Sequence, residues 1–130
     1  MIRATPFLMF QGRCEEALRF YVQTLPETEI ASIERFGEGE PGPVGTVRFA
    51  RLRIGAQEII ANDSPPVHDF TFTPSFSLWI ECDEAAEVDR LATALSDGGR
   101  QMMPADDYGF SRRFAFVEDR FGVSFQINAA

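Results

Sequence analysis

Few side chains in this sequence fall in patterns that could do chemistry. Gly37-Glu38-Gly39-Glu40-Pro41-Gly42 spells G-x-G-x-x-G, the pattern of a dinucleotide phosphate cradle. Such a cradle needs a strand before it, a helix N-terminus after it and no anions facing the phosphates. Here Glu38 and Glu40 interrupt the glycines, Pro41 removes a donor amide, and the next residues, VGTVRFARLRI, alternate as a strand. The string is therefore expected to be a connection between two strands. His68 stands beside Asp69, and a His with a carboxylate is the pairing of a general base. Neighbours in an extended segment point to opposite sides, and no Ser or Cys has a nucleophile's sequence context, so His68 is expected to be structural or exposed. Cys14 and Cys82 fall on apolar faces and are expected to pack as small core residues with reduced thiols.

Aromatic residues carry the stronger signal. Of thirteen Phe, nearly all lie in strand-like stretches or at their ends, and most are expected to fill a core. The segment Asp107 to Phe116, DYGFSRRFAF, differs because Tyr108, Ser111, Arg112 and Arg113 bring polar groups among the rings. It reads as the rim of a binding site. Candidate ligand-binding residues are Trp79, Tyr108, Phe110 and Phe114 for stacking and Arg113 and Gln126 for polar anchoring; no catalytic residue is assigned.

The remaining composition narrows the classes. The chain has 130 residues, 12 basic against 20 acidic side chains, a net charge of −8 and no Lys. Nucleic acid and anionic membranes are poor partners for such a surface. One His and two distant Cys cannot build a structural zinc site or a disulfide framework. No apolar run is long enough to span a membrane, and MIRATPFLMFQGRCEE reaches charge too soon for a signal peptide, so a cytoplasmic location is expected. Folding a chain of this size buries about 14,000 Å².

The elements that must position these residues repeat. Thr5 to Phe10 is a short strand, and Arg13 to Leu25 carries Cys14, Ala17, Leu18, Tyr21, Val22 and Leu25 at helical spacing between Gly12 and Pro26. Strands are expected at Glu29 to Phe36, Val44 to Ile54 and Gln57 to Ala61, with a slip at Ala50-Arg51 that reads as a bulge. Asn62 to His68, NDSPPVH, is a turn-rich connector. The order then recurs: a strand over Phe72 to Cys82; a helix capped by Asp83, with Glu84 and Glu87 in its first turn and Gly98-Gly99 at its end; and strands at Arg100 to Met103, Ser111 to Glu118 and Val123 to Asn128. Asp119 to Gly122 is expected to turn between the last two. Setting GAQEIIAN over GVSFQINA aligns the closing strands of the halves. The expected fold is α+β, one domain of two βαβββ modules at about 1–62 and 69–130 forming a curved mixed sheet.

Two βαβββ modules in this length resemble the vicinal oxygen chelate superfamily of glyoxalase I, bleomycin-resistance proteins and fosfomycin-resistance transferases. PFLMFQG at Pro6 to Gly12, EEALRFY at Glu15 to Tyr21, IERFGEGEPGPVGTV at Ile33 to Val47, HDFTFTPSFSLWIECD at His68 to Asp83, LSDGGRQMMP at Leu95 to Pro104 and YGFSRRFAFVEDRFGVSFQIN at Tyr108 to Asn128 are similar to its PhnB-like family, also called demethylubiquinone 3-methyltransferase-like. The resemblance implies a cupped sheet around a cavity, commonly completed in a homodimer. In metal-dependent relatives it implies His and Glu ligands on the opening and closing strands of each module. Here those places hold Pro6 to Leu8, Ile59, Phe76-Ser77 and Gln126, which are weak ligands or none. No metal and no cofactor are therefore expected. A methyl donor is usually held by a Gly-rich turn on a Rossmann-like sheet, and the one such string is already read otherwise.

Two functions stand side by side at this point. One is a metal-independent protein that binds a small apolar or planar molecule in an aromatic-lined cavity. The other is a superfamily enzyme that keeps a metal through groups such as Glu58 or Glu81, works by acid/base chemistry without one, or transfers a methyl group. A homodimer is expected because curved sheets with exposed edges and an aromatic inner face invite pairing.

Overall fold

The computed structural model describes residues 1–65 and 68–130; Pro66 and Val67 of the expected connector lie outside the described residues. The chain divides into two compact units, Met1–Thr71 and Phe72–Ala130. The first holds β1 (Phe7–Phe10), α1 (Cys14–Thr24), β2 (Thr28–Arg35), β3 (Val47–Ile54) and β4 (Gln57–Asp63). The second holds β5 (Ser77–Cys82), α2 (Ala85–Ser96), β6 (Arg100–Asp106), β7 (Arg113–Glu118) and β8 (Ser124–Ala129). Each unit is a βαβββ module with its own four-stranded mixed sheet, ordered β1-β4-β3-β2 in one and β5-β8-β7-β6 in the other. In both, the opening strand runs parallel to the closing strand and the other pairs are antiparallel. The bimodular α+β fold follows from this repeated order.

The first unit buries Leu8, Phe10, Leu52, Ile59 and Ala61 of its strands with Cys14, Ala17, Leu18 and Tyr21 of α1. Burying this apolar stripe is what holds an 11-residue helix that would be marginal alone. Asp63 fixes where the helix begins. Buried at the end of β4, it accepts from the backbone N–H of Gly12 at 2.7 Å and of Cys14 at 2.9 Å through Oδ1, and from Val47 N–H at 2.9 Å through Oδ2. The first two amides lie at a helix start, where backbone N–H groups have no intrahelical partner, and the third opens β3. Asp63 falls in the expected connector by sequence, but β4 continues through it, and its partners lie 51, 49 and 16 residues away.

The expected slip in β3 is also displaced. Ala50 and Leu52 face the core and Phe49 faces away, with the Arg51 guanidinium 5.2 Å above the Phe49 ring. The irregularities fall between Glu34 and Arg35, where Arg48 is skipped, and between Ile30 and Ser32, where Ala31 is. Each adds one residue to one strand, so Val47 returns to the buried face.

In the second unit Val88, Leu91, Ala92 and Leu95 of α2 pack with Ala115, Val117, Phe125 and Ile127. Asp83 is not the N-cap. Glu84 takes that place in an extended conformation without a side-chain cap, and the Asp83 carbonyl accepts from Arg112 Nη2 at 2.8 Å. Residues 72–76 are not strand: a turn at Pro74-Ser75, closed by Phe76 N–H on the Thr73 carbonyl at 3.1 Å, leads into β5, and β6 runs on to Asp106 with two breaks in register. It can contain Pro104 because it is an edge strand. The Asp119 turn forms as expected: Gly122 N–H bonds to the Asp119 carbonyl at 3.0 Å, with Gly122 at φ 94°. Among the described residues, no helix is long and apolar enough to cross a membrane.

Candidate functional site

The pairing register of the second sheet decides which side chains share a face. Arg113, Ala115 and Val117 alternate with Phe114, Phe116 and Glu118 along β7. Arg113 bonds to Asp89 of α2 through Nε and Nη2 at 3.0 and 2.8 Å, so its side of the sheet is the helix side. Phe114 and Phe116 point the other way and stand opposite Asn128 and Gln126 of β8. Gln126 and Asn128 pair in turn with Trp79 and Glu81 of β5. One open face thus collects Trp79, Glu81, Phe114, Phe116, Gln126 and Asn128.

The rings on this face form a connected cluster. Trp79 and Phe114 meet across β8 with centroids 5.8 Å apart; Phe110 lies edge-on to Phe114 at 5.0 Å, and Tyr108 at 6.1 Å. Phe114 is buried at 3% exposure, whereas Trp79 and Phe110 stay 53% and 62% exposed. A Tyr108 hydroxyl bond to the Pro104 carbonyl holds the β6–β7 segment that carries two of the rings. Gln126 Nε2 donates to Ser77 Oγ at 2.8 Å on the same face. Five of the six residues singled out from sequence therefore come together. Arg113 does not: its position on β7 turns it to α2 and into an ion pair with Asp89.

Glu81 is the group that sequence reasoning passed over as a ligand-binding residue. Its carboxylate accepts from Trp79 Nε1 at 3.0 Å, from Asn128 Nδ2 at 3.2 and 3.1 Å, and from Ala130 N–H at 3.1 Å. The bond from Trp79 is the main reason its pKa lies below the usual carboxylate range; desolvation is the next effect and opposes it, and the bonds from Asn128 and Ala130 lower it further. Asn128 is itself 6% exposed, and its Oδ1 is buried with no partner; Ser124 Oγ on β8 is likewise unpartnered. The signal available in sequence was the alternation W-I-E beside Q-I-N, legible only once the parallel pairing is known.

The halves also need a corrected alignment. Counting back from the last parallel pairs, Phe10 with Asp63 and Cys82 with Ala129, Asn62 corresponds to Asn128 and Ile60 to Gln126. Ile59 is therefore not the counterpart of Gln126; it lies on the buried face at 1% exposure. Two residues join β3 to β4 but five join β7 to β8, so aligning on the glycines displaced the strand by one and reversed its faces.

The residues present do not fit the His and Glu metal site of metal-dependent relatives. Among the described residues no group of three or more His, Cys, Asp or Glu side chains converges. Glu58 is bonded to Arg51 at 2.6 Å, and both oxygens of Glu81 already accept protein donors. The glycine string lies in the β2–β3 connection, as its neighbours implied. Glu40 folds back onto Gly37 N–H at 2.5 Å, and Gly42 lies so close to the Phe36 ring that a Cβ would collide with it. His68 is not paired with Asp69; its ring stacks on Phe70 at 3.8 Å, with Nε2 at 3.0 Å from Ser64 Oγ. Both cysteines are free and buried, and burial is the main cause that raises the Cys82 thiol to about 11. Two shallow depressions of about 290 and 320 Å³ lie in the first unit beside Glu29, and none of the aromatic-face residues lines them.

The sequence matches the family described as 3-demethylubiquinone-9 3-methyltransferase over residues 2–128. A Bacillus cereus structure described as a putative 3-demethylubiquinone-9 3-methyltransferase, PhnB protein, is 40% identical, with a TM-score of 0.93 over 99% of this chain and 100% of that one. Protein YjdN of Escherichia coli is 26% identical over 95% of this chain and 92% of its own length. At the level of fold alone, a glyoxylase/bleomycin resistance protein/dioxygenase domain from Frankia has a TM-score of 0.70 at 14% identity, covering 100% of this chain and 98% of that one. The fosfomycin resistance protein FosX of Listeria monocytogenes has a TM-score of 0.65 at 13% identity, covering 100% and 95%.

Proposed function

The chain belongs to the 3-demethylubiquinone-9 3-methyltransferase family, a PhnB-like branch of the vicinal oxygen chelate superfamily, and from that premise we propose that it binds a small apolar or planar molecule without a catalytic metal. The observation that carries this reading is the Trp79, Tyr108, Phe110 and Phe114 cluster, where exposed rings are anchored on a buried one beside the amide of Gln126. Stacked and edge-on rings give a flat ligand a large contact area at little cost in side-chain entropy. Arg113 takes no part in this reading.

The methyl transfer in the family description calls for a donor site, and the glycine string gives it no support because Glu40 and the Phe36 ring occupy it. We place the binding function in one domain made of both modules. A cytoplasmic location accords with the two free thiols. A homodimer accords with the exposed Phe7 and Phe76, which a second copy would shield.

Trp79 is the sole tryptophan, so its fluorescence reports on the site directly. Saturable quenching by 2-phenylethanol, weakened in Phe110→Ala and Gln126→Ala, is the expected result. One equivalent of tightly held divalent metal in native protein, analysed alongside Gln126→Glu, would overturn the metal-free reading. Light scattering at micromolar concentration should return twice the monomer mass; a monomer would count against the dimer.

A further inference from the structure

Resting on that binding reading, we infer that the ligand class of the aromatic face is an organic ammonium, a protonated amine with at least one N–H and an apolar or planar body. The first reason is the uncompensated charge of Glu81. Glu15, Glu34, Glu40, Glu58 and Glu118 each meet an arginine. Among the described residues Glu81 meets only neutral donors, the indole of Trp79, the amide of Asn128 and the backbone of Ala130. Its negative charge is thus held in place by the fold without a protein cation to neutralise it.

The second reason is what surrounds that charge. Trp79 lies on the same side of β5, two residues from Glu81, and meets Phe114 across β8. The negative faces of aromatic rings attract a cation that a lone carboxylate on a wet surface would hold only weakly. The net charge of −8 adds a long-range field of the same sign.

The third reason is an orphaned acceptor. Asn128 commits its Nδ2 to Glu81, which fixes the orientation of the amide and leaves Oδ1 facing no donor, although the residue is more than nine-tenths buried. Buried acceptors are rarely left without a donor, and an N–H of the ligand would supply one. This feature favours an ammonium with hydrogens over a quaternary one. The first unit provides the contrast. Asn62 has the same orphaned oxygen, but its parallel partner is Met9 where the second unit has Glu81, so the anion is missing there.

The test uses three probes of one shape, 2-phenylethylammonium, 2-phenylethanol and 3-phenylpropanoate, titrated against the full chain with Trp79 fluorescence as the readout. The ammonium should bind about tenfold more tightly than the alcohol, and the carboxylate more weakly than both. Glu81→Gln should bring the ratio of ammonium to alcohol affinity down to about one. If that variant does not fold, the wild type decides: the advantage of the ammonium must shrink as salt is raised. An alcohol that binds as tightly as the ammonium overturns the cation while leaving the binding site in place. If no probe perturbs Trp79 at millimolar concentration, the binding reading fails and this inference with it.

Discussion

Asn128 donates through Nδ2 to both carboxylate oxygens of Glu81, at 3.2 and 3.1 Å, from the strand that lies beside it in the sheet. With the stronger contribution of Trp79 Nε1, this stabilises the ionised form and lowers the pKa of Glu81. The resulting stabilisation is present above the ordinary carboxylate value and is lost as pH falls through the lowered one. Trp79→Phe removes the main cause, so the Glu81 carboxyl resonance should titrate at higher pH in that variant. An unchanged midpoint would show that the indole bond does not persist in solution.

Glu15 offers a second titration. It accepts from Arg35 and, to a smaller degree, from Arg19, and its pKa falls to about 2. The pairing therefore stabilises the fold above about 4.5 and loses that contribution as pH drops toward about 2. Because the three side chains are 29–59% exposed, solvent screens the pairing and the effect on stability is small. Glu15→Gln should leave stability at pH 2 nearly unchanged and lower it slightly at pH 7, as read by denaturant unfolding at the two pH values. Equal losses at both would contradict the assignment.

Asp63 should matter far more. Its two oxygens serve three backbone amides, those of Gly12 and Cys14 at the start of α1 and that of Val47 at the start of β3, and truncation leaves those donors without partners. Asp63→Ala is expected to cost about 3 kcal/mol, while Asp63→Asn, which keeps one acceptor oxygen, should cost about half as much. The shift in urea midpoint measures both. A loss below about 1 kcal/mol for the alanine variant would mean that water replaces the carboxylate.

Two glycines separate backbone from side-chain crowding. A Cβ on Gly99 would collide with the carbonyl oxygen of Glu118 and the backbone of Asp119, none of which can yield without breaking the β6–β7 register. A Cβ on Gly42 would strike the Phe36 ring, which can rotate or shift. Gly99→Ala should thus destabilise by about 3 kcal/mol and Gly42→Ala by about 1 kcal/mol. Thermal unfolding of the two proteins side by side tests the order, and the reverse order would refute it.

Legibility from sequence varied with the physical signal. Helical spacing in Cys14 to Leu25 marked α1 to within a residue, and Asp119 with Gly122 marked the β7–β8 turn, because both signals are local. The aromatic cluster was visible because Tyr108, Phe110 and Phe114 lie close together in the chain and Trp79 is distinctive. Asp63 was not visible as a cap, since its partners sit on other elements. Arg113 and Ile59 were misplaced for a related reason: on a strand, a step of one residue changes the face.

Local order, then, was determined by the sequence alone: the repeated βαβββ succession, the apolar stripe of each helix and the family to which the chain is similar. Tertiary structure decided the chemistry of the face. Pairing β5 with β8 set Glu81 against Asn128, and pairing β7 with β8 set Phe114 over the same strand and sent Arg113 to Asp89. Register between strands is fixed by hydrogen bonds and turn lengths distributed over the whole sheet, and no short stretch of side chains encodes it.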